Sequence, residues 1–205
     1  LDFPVVSGNV SLYNETKADD GSSLAILPTP AIGGVGLIDD WERSATIGFK
    51  ADGDHIFVVG PLKGHLGQSL WLEQIGERRE GEPPPVDLKA ELSAGFYVRQ
   101  WIALGLVSPV HDVSDGGLAV ALAEMALAGG RGATVEAHHS YSKAAWWFGE
   151  DQARYILTVR DREAFERQLS WGDESFDAVG CGIRHIGRVG GDRLLGASLA
   201  GLRPP

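Results

Sequence analysis

The distribution of strand-like and helix-like segments divides this 205-residue sequence into two parts near residue 44. Residues 1–44 contain short strand-like runs and no helical pattern, and such a set of elements cannot close a core by itself. From residue 45 onward strands and helices alternate, which favours helices on one or two faces of a mixed sheet. The sequence predicts an α+β fold: a mixed-sheet α/β sandwich over residues 45–205, preceded at residues 1–44 by strands of an incomplete domain.

Periodicity predicts the individual elements. In the first part, strand-like runs occur at Val5–Val6, Val10–Tyr13, Ala25–Leu27 and Ala31–Ile38, with a turn at Asp19–Gly21. In the second part, strands are predicted at His55–Val59, Val107–Val113, Ala133–Ala137, Arg154–Val159, Gly182–Val189 and Leu194–Leu199. Helices are predicted at Gln68–Ile75, Val86–Leu106, Gly117–Ala128 and Arg162–Leu169, the last capped by Asp161. Val86–Leu106 has an amphipathic pattern whose apolar row is Leu88, Leu92, Phe96, Ile102 and Leu106.

Composition and charge narrow the possible partners. A net charge of −10 argues against a nucleic-acid surface, although local backbone N–H groups and Mg²⁺ can still hold a nucleotide. No apolar run reaches the length of about 18 residues that a membrane span needs. The lone Cys181 has no partner in the sequence for a disulfide, so we expect a reducing, cytoplasmic setting. Because the sequence starts at Leu1 rather than Met, we expect a piece of a longer polypeptide.

The segment Pro4–Glu15 carries the first candidate site. Its apolar start predicts a short buried strand that ends in a turn presenting polar groups. Gly8 allows close approach of an anion, Asn9 offers an oxygen suited to Mg²⁺, and Ser11 would point the same way as Asn9. These groups suit a site for a phosphate and its metal. The alternative is that Gly8-Asn9 is only a turn.

The segment His111–Gly117 joins a predicted strand to a predicted helix. Gly116-Gly117 at the helix start predicts exposed N–H groups that could bind an anion. The alternative is that Ser114 or Asp115 caps the helix. His111 and Asp112 could handle a proton, although such a pair is more often a structural hydrogen bond.

The segment Phe148–Arg154 places Glu150, Asp151, Gln152 and Arg154 within five positions. These side chains could bind hydroxyls or an amide of a substrate, and the favoured alternative is a polar loop with a salt bridge. Trp146-Trp147, just before, could form a hydrophobic plug or an interface with parts of the protein outside this sequence.

Three of these segments together resemble one enzyme family. PVVSGNVSLYNET with ILPTPAIGGVGLIDD is similar to the late part of the ATP-binding domain of phosphoribosylformylglycinamidine synthase. HDVSDGGLAVALAEMALAGG and FGEDQARYILTV are similar to the C-terminal domain of the same enzyme's large, synthetase subunit. The family lies in the superfamily of aminoimidazole ribonucleotide synthetase. The resemblance covers nearly the whole sequence, in order, and implies that residues 1–44 end an ATP-binding domain and residues 45–205 form the C-terminal α/β domain.

The resemblance also implies an activity and partners. The family uses ATP and Mg²⁺ to convert formylglycinamide ribonucleotide and glutamine-derived ammonia to the amidine in purine synthesis. The implied partners are the upstream part of the synthetase subunit, a glutaminase subunit and a small assembly subunit. Carried over by position, Gly8 is an ATP contact, Asn9 a Mg²⁺ ligand and Ser11 a substrate contact. Glu150–Gln152 stands where the first half of the family's subunit has a substrate-binding Glu-Ser-Gln, but with Asp in the middle.

The family's catalytic histidines, its ATP lysine and most of its Mg²⁺ carboxylates belong upstream of these residues. We therefore expect no synthetase activity from this chain alone. Two alternatives stay open: another ATP-using member of the same superfamily, and a non-catalytic binding or assembly module.

Overall fold

The polypeptide divides between Trp41 and Glu42 into two units, an N-terminal unit of residues 1–41 and an α/β unit of residues 42–205. The computed structural model describes residues 4–9, 15–26, 31–137, 142–170 and 182–196. A short 3₁₀ helix, Trp41–Arg43, spans the division.

In the N-terminal unit, the described residues form two antiparallel strand pairs. β1 (Ser7–Asn9) pairs with β4 (Ala31–Gly33), and β2 (Glu15–Lys17) pairs with β3 (Ser23–Ala25). The turn between β2 and β3 is the predicted one. Gly21 has a φ of +78°, and the Asp20 carboxylate accepts a hydrogen bond from the Ser22 N–H at 2.8 Å.

The structure corrects the predictions for the first strands. Residues 4–6 are exposed and form no strand, and Gly8-Asn9 lies within β1 rather than in a turn. β4 ends at Gly33, well before the predicted end at Ile38. Val10–Tyr13 lies outside the described residues.

None of the described residues of the N-terminal unit is buried. Its large apolar side chains are instead exposed, with Leu37 at 96% and Val35 at 76%. The described strands of this unit form two-stranded sheets, and two strands alone do not exclude water from an apolar face.

In the α/β unit, the residues that the structure describes form one six-stranded sheet. Its strands are β5 (His55–Val59), β6 (Val110–Asp112), β7 (Ala133–Val135), β8 (Tyr155–Val159), β9 (Ile183–Val189) and β10 (Leu194–Gly196). Its helices are α1 (Leu70–Gln74), α2 (Leu88–Ala103), α3 (Gly117–Gly129), α4 (Lys143–Phe148) and α5 (Arg162–Ser170). The strand order is β10-β7-β9-β5-β8-β6, with β10 and β7 parallel and the other neighbours antiparallel. This mixed sheet with helices confirms the predicted fold class.

The sheet is covered on both faces. Along β5, Ile56 and Val58 point into a core that contains α3 and α4, whereas Phe57 and Val59 point into a core that contains α2 and α5. Every residue of β5 is buried, because a central strand with helices on both sides has no solvent face. Trp146 and Trp147 of α4, a helix that the periodicity did not reveal, lie inside the first core, as the plug hypothesis predicts.

Helix α2 turns a different side toward the core than the amphipathic pattern predicts. Its buried residues are Ala90, Ala94, Val98 and Trp101. Leu88, Leu92 and Phe96 of the predicted apolar row are 58%, 53% and 48% exposed, while Ile102 and Leu106 are only partly buried. The alanines bring the helix axis close to the sheet, and the larger row on the opposite side is left outside.

Other predictions hold more closely. The strand at His55–Val59, the helix that begins at Gly117 and the cap at Asp161 are confirmed, the last by a 2.9 Å hydrogen bond from the Ala164 N–H. In the part of the chain that the structure describes, no helix has both the length and the apolar character to cross a membrane.

His55 on β5 and His185 on β9 form a hydrogen-bonded pair in the sheet, with 3.0 Å between Nδ1 of His55 and Nε2 of His185. One nitrogen must donate and the other accept, so the pair needs at least one neutral ring. Burial is the main cause that lowers the pKa of both rings, and neighbouring arginines add to it while glutamates oppose it. The charged groups around the pair are Arg162, Arg188, Glu136 and Glu166.

We expect the free energy of unfolding to decrease as the pH falls below about 6.5, the ordinary pKa of histidine. Because the folded-state pKa values of His55 and His185 are lowered, the unfolded chain binds more protons than the folded chain in this range. The contribution is fully present above that pH and is lost as the pH falls toward the folded-state values. His185→Gln should flatten this dependence in urea unfolding measured above and below that pH. An unchanged pH dependence in the variant would contradict the assignment.

Candidate functional site

Gly8 and Asn9 lie side by side on the exposed strand β1. A Cβ on Gly8 would lie 3.1 Å from the Ala31 carbonyl oxygen, so pairing with β4 already favours glycine there. Asn9 is exposed and stands opposite Ala31. Ser11, the third predicted residue, lies outside the described residues. The assignment of these three residues to a nucleotide site therefore stays a prediction.

The start of α3 is built differently from the prediction. The N-cap residue is Gly116, with a φ of +79° and no side-chain cap of its own, so the predicted cap at Ser114 or Asp115 is wrong. A Cβ on Gly117 would lie 2.7 Å from the Gly149 carbonyl oxygen. The second glycine is thus required by close backbone packing rather than by an external anion.

The carboxylate of Glu150 occupies the position at the start of α3 where the sequence predicted that an anion could bind. Its Oε1 accepts a hydrogen bond from the Gly116 N–H at 2.8 Å and another from the Leu70 N–H at 2.8 Å. One side chain therefore caps the N-terminal ends of both α1 and α3, where the helix dipoles favour negative charge. The anion at this place is a side chain of the protein itself.

Glu150→Ala should lower the free energy of unfolding by about 2–3 kcal/mol, because two backbone donors lose a charged acceptor. Glu150→Gln keeps one acceptor oxygen in a side chain of the same length, so the loss should be smaller. Urea unfolding of both variants tests this double cap. Equal stability of the alanine and glutamine variants would show that Glu150 does not hold the two helices.

Asp151, the next residue, is buried and also accepts backbone hydrogen bonds. Its oxygens accept from the N–H groups of Lys63, Gly64 and His65 at 2.9, 2.8 and 3.1 Å. Arg154 Nη1 lies 3.9 Å from Asp151 Oδ2 and donates to the Gly149 carbonyl at 3.0 Å. The carboxylate fixes the loop after β5, which agrees with the hypothesis of a polar loop carrying a salt bridge.

His111 at the end of the sheet lies between two carboxylates. Its Nε2 is 2.8 Å from Glu124 Oε2 on α3, and its Nδ1 is 3.2 Å from Asp112 Oδ1. The predicted His111–Asp112 contact is present, and Glu124 is the partner that the sequence analysis missed. His111 precedes Glu124 by 13 residues, so no local spacing in the sequence indicates that contact.

A cleft of about 330 Å³ opens beside Asp151. The cleft lies between the loop after β5, the start of α2 and the turn at Gln152-Ala153, and its walls include Pro61, Pro84 and Pro85. Lys63 and Gln152 are the exposed cationic and amide side chains in its lining. The carboxylates of Asp87 and Asp151 also line the cleft, so an ammonium, a carboxamide and carboxylates beside apolar walls can bind a small polar ligand.

The turn that forms this cleft is held in an uncommon conformation. Ala153 has a φ of +59°, and its N–H donates to Glu91 Oε1 of α2 at 2.8 Å. The cleft was not predicted, because the charged, proline-rich stretch Gly76–Pro85 matches neither a helix nor a strand pattern. Pro84-Pro85, which Val86 separates from the Asp87 cap of α2, is the local feature that could have indicated a rigid wall.

The described residues contain no group of three or more His, Cys, Asp or Glu side chains arranged to hold a metal ion.

The mixed sheet with helices on both faces defines a known class of domain. The family described as AIR synthase related protein, C-terminal domain, matches residues 51–199, and this chain belongs to it. The chain is 60% identical over 211 residues to phosphoribosylformylglycinamidine synthase subunit PurL of Erythrobacter litoralis, covering 99% of this chain and 28% of that protein. It is 53% identical over 197 residues to the same subunit of Zymomonas mobilis, covering 95% of this chain and 26% of that protein. The chain thus spans about a quarter of these relatives.

Solved structures share the fold at low sequence identity. A Thermotoga maritima PurL complexed with FGAR superposes with a TM-score of 0.58 at 14% identity, covering 80% of this chain and 32% of that chain. HypE of E. coli, a hydrogenase maturation protein, superposes with a TM-score of 0.50 at 21% identity, covering 78% of this chain and 52% of that chain.

Proposed function

We propose that this chain is the C-terminal part of the large subunit of a phosphoribosylformylglycinamidine synthase, an ATP-dependent ligase of purine biosynthesis. The observation that carries the proposal is 60% identity to the Erythrobacter litoralis subunit over 99% of the chain. The activity belongs to a longer polypeptide, because the chain spans only 28% of that relative.

In the proposed reaction, ATP phosphorylates the amide oxygen of formylglycinamide ribonucleotide. Ammonia from glutamine then forms a bond to the same carbon, and the carbon–oxygen bond breaks as phosphate leaves. Residues 1–44 would contribute the end of an ATP-binding domain, with Gly8 close to ATP and Ser11 in contact with the substrate. Asn9 would supply one neutral oxygen to Mg²⁺, an ion that neutralises phosphate charge when bound.

Within the α/β unit, the described contacts distinguish residues that hold the backbone in place from residues that are free to contact a ligand in the cleft. The carboxylates of Glu150 and Asp151 accept hydrogen bonds from backbone N–H groups of α1, α3 and the loop after β5. Gln152, the third residue of this triplet, is exposed in the lining of the cleft. A ligand of this unit would therefore meet Gln152 and Lys63, while Glu150 and Asp151 hold the backbone around it.

The proposed assembly follows the resemblance. The chain would act with the upstream part of its own subunit, a glutaminase subunit that supplies ammonia and a small assembly subunit. A Thermotoga maritima structure described as PurLQS shares the fold of this chain, with a TM-score of 0.55 at 15% identity.

The 205-residue chain by itself should not turn over formylglycinamide ribonucleotide with ATP and ammonia. Catalysis requires both reactants to be held in register, and the proposed nucleotide site is completed by groups outside this chain. Phosphate release above the no-enzyme rate would contradict this expectation. The longer polypeptide containing this chain should show amidine formation under the same conditions, and its failure with ammonia as donor would overturn the proposed function.

In that longer polypeptide, Asn9→Ala should raise the Mg²⁺ concentration needed for half-maximal turnover by about tenfold or more, since a ligand oxygen is lost. Calorimetry of ATP binding with and without Mg²⁺ should show the same weakening. Thr16→Ala, at an exposed position of β2 in the same unit, is the matched control and should leave both measurements unchanged. If Asn9→Ala behaves like Thr16→Ala, Asn9 is not a Mg²⁺ ligand.

A further inference from the structure

Helix α2 carries large apolar side chains on the side that faces away from its own sheet. Leu88, Leu92 and Phe96 are spaced four residues apart, so they form one row along the helix. They are 58%, 53% and 48% exposed, while the opposite side packs Ala90 and Ala94 against the sheet. A helix that is apolar on two sides is typical of one covered on both.

The N-cap carboxylate of Asp87 is exposed at the start of this row, and the exposed charges within α2 itself are cations. Among the residues of α2, all of which the structure describes, Lys89 and Arg99 are exposed cations. Glu91 is the sole carboxylate within the helix, and it is turned toward the Ala153 N–H. In a chain with a net charge of −10, the outer face of α2 is therefore apolar and cationic.

A cavity of about 200 Å³ adjoins the same face between α2 and α5. Phe96 and Leu104 line it from the α2 side, and Gln168 and Leu169 line it from α5. The cavity has room for one large apolar side chain. An exposed row next to such a cavity is the geometry by which an amphipathic helix binds a groove, with its anchor residues at helical spacing.

We infer that the outer face of α2 is the docking surface for an amphipathic segment of the longer polypeptide to which this chain belongs, with apolar anchors and acidic flanks. Acidic flanks would complement Lys89 and Arg99. The source of the segment follows from length, because the chain aligns over 99% and 95% of itself but spans only 28% and 26% of its relatives. A second copy of the chain would bring like cations together. The inference rests on the proposed function only in taking this chain as part of a longer polypeptide.

Hydroxyl-radical footprinting of the longer polypeptide tests this docking surface. Leu92 and Phe96 should be oxidised nearly as slowly as Leu118 and Phe165, which are buried residues of the same types. In the 205-residue chain they should react several-fold faster. Fast oxidation of Leu92 and Phe96 in the longer polypeptide, at the rate seen in the short chain, would overturn the inference. No turnover is measured, so failure of the proposed activity leaves this result interpretable.

A pair of variants gives a second readout. Leu92→Glu should lower the Tm of the longer polypeptide by about 4 °C or more and that of the short chain far less, because only the former would bury the new carboxylate. Leu127→Glu is the control at an exposed leucine of α3, and it should affect both proteins alike. Equal effects of Leu92→Glu on both proteins overturn the inference. So does a dimer of the short chain that Leu92→Glu abolishes, since the occupant would then be a second copy.

Discussion

The structure of the α/β unit depends on the burial of β5 on both faces. All five of its residues are buried, with alternate side chains in two separate cores. Neither face of the strand tolerates water, so each needs its own layer of helices: α3 and α4 on one side, α2 and α5 on the other. The starts of α1 and α3 meet at the carboxylate of Glu150, and the loop after β5 meets the adjacent carboxylate of Asp151.

These two adjacent carboxylates show how charge can serve the backbone instead of a ligand. Glu150 accepts hydrogen bonds from the N–H groups at two helix starts, and Asp151 accepts three hydrogen bonds from N–H groups of the loop after β5. Buried backbone donors require partners, and an ionised acceptor supplies the strongest ones. The cleft beside Asp151 therefore has a rigid floor, while Gln152 and Lys63 stay exposed in its lining.

The elements that the sequence predicts well are those whose pattern has a single solution. Residues 56–59 of β5 are continuously apolar, α3 starts at a glycine pair, and Asp161 has the chemistry of a cap. Prediction fails where two solutions compete. Helix α2 offers both a row of large apolar residues and a row with two alanines, and only the distance to the sheet decides between them. The prediction of the α3 cap fails for another reason. The carboxylate that caps this helix belongs to Glu150, which is distant in sequence.

By itself, the sequence determined the fold class and the resemblance to one family, because these follow from periodicity and contiguous motifs. The tertiary structure alone decided which side of α2 faces the core, which carboxylates accept hydrogen bonds from backbone N–H groups and where a cleft opens. Those properties depend on contacts between residues far apart in the chain, such as Leu70 and Gly116 with Glu150. Local pattern carries no information about such distances, since it records only which residues are neighbours along the chain.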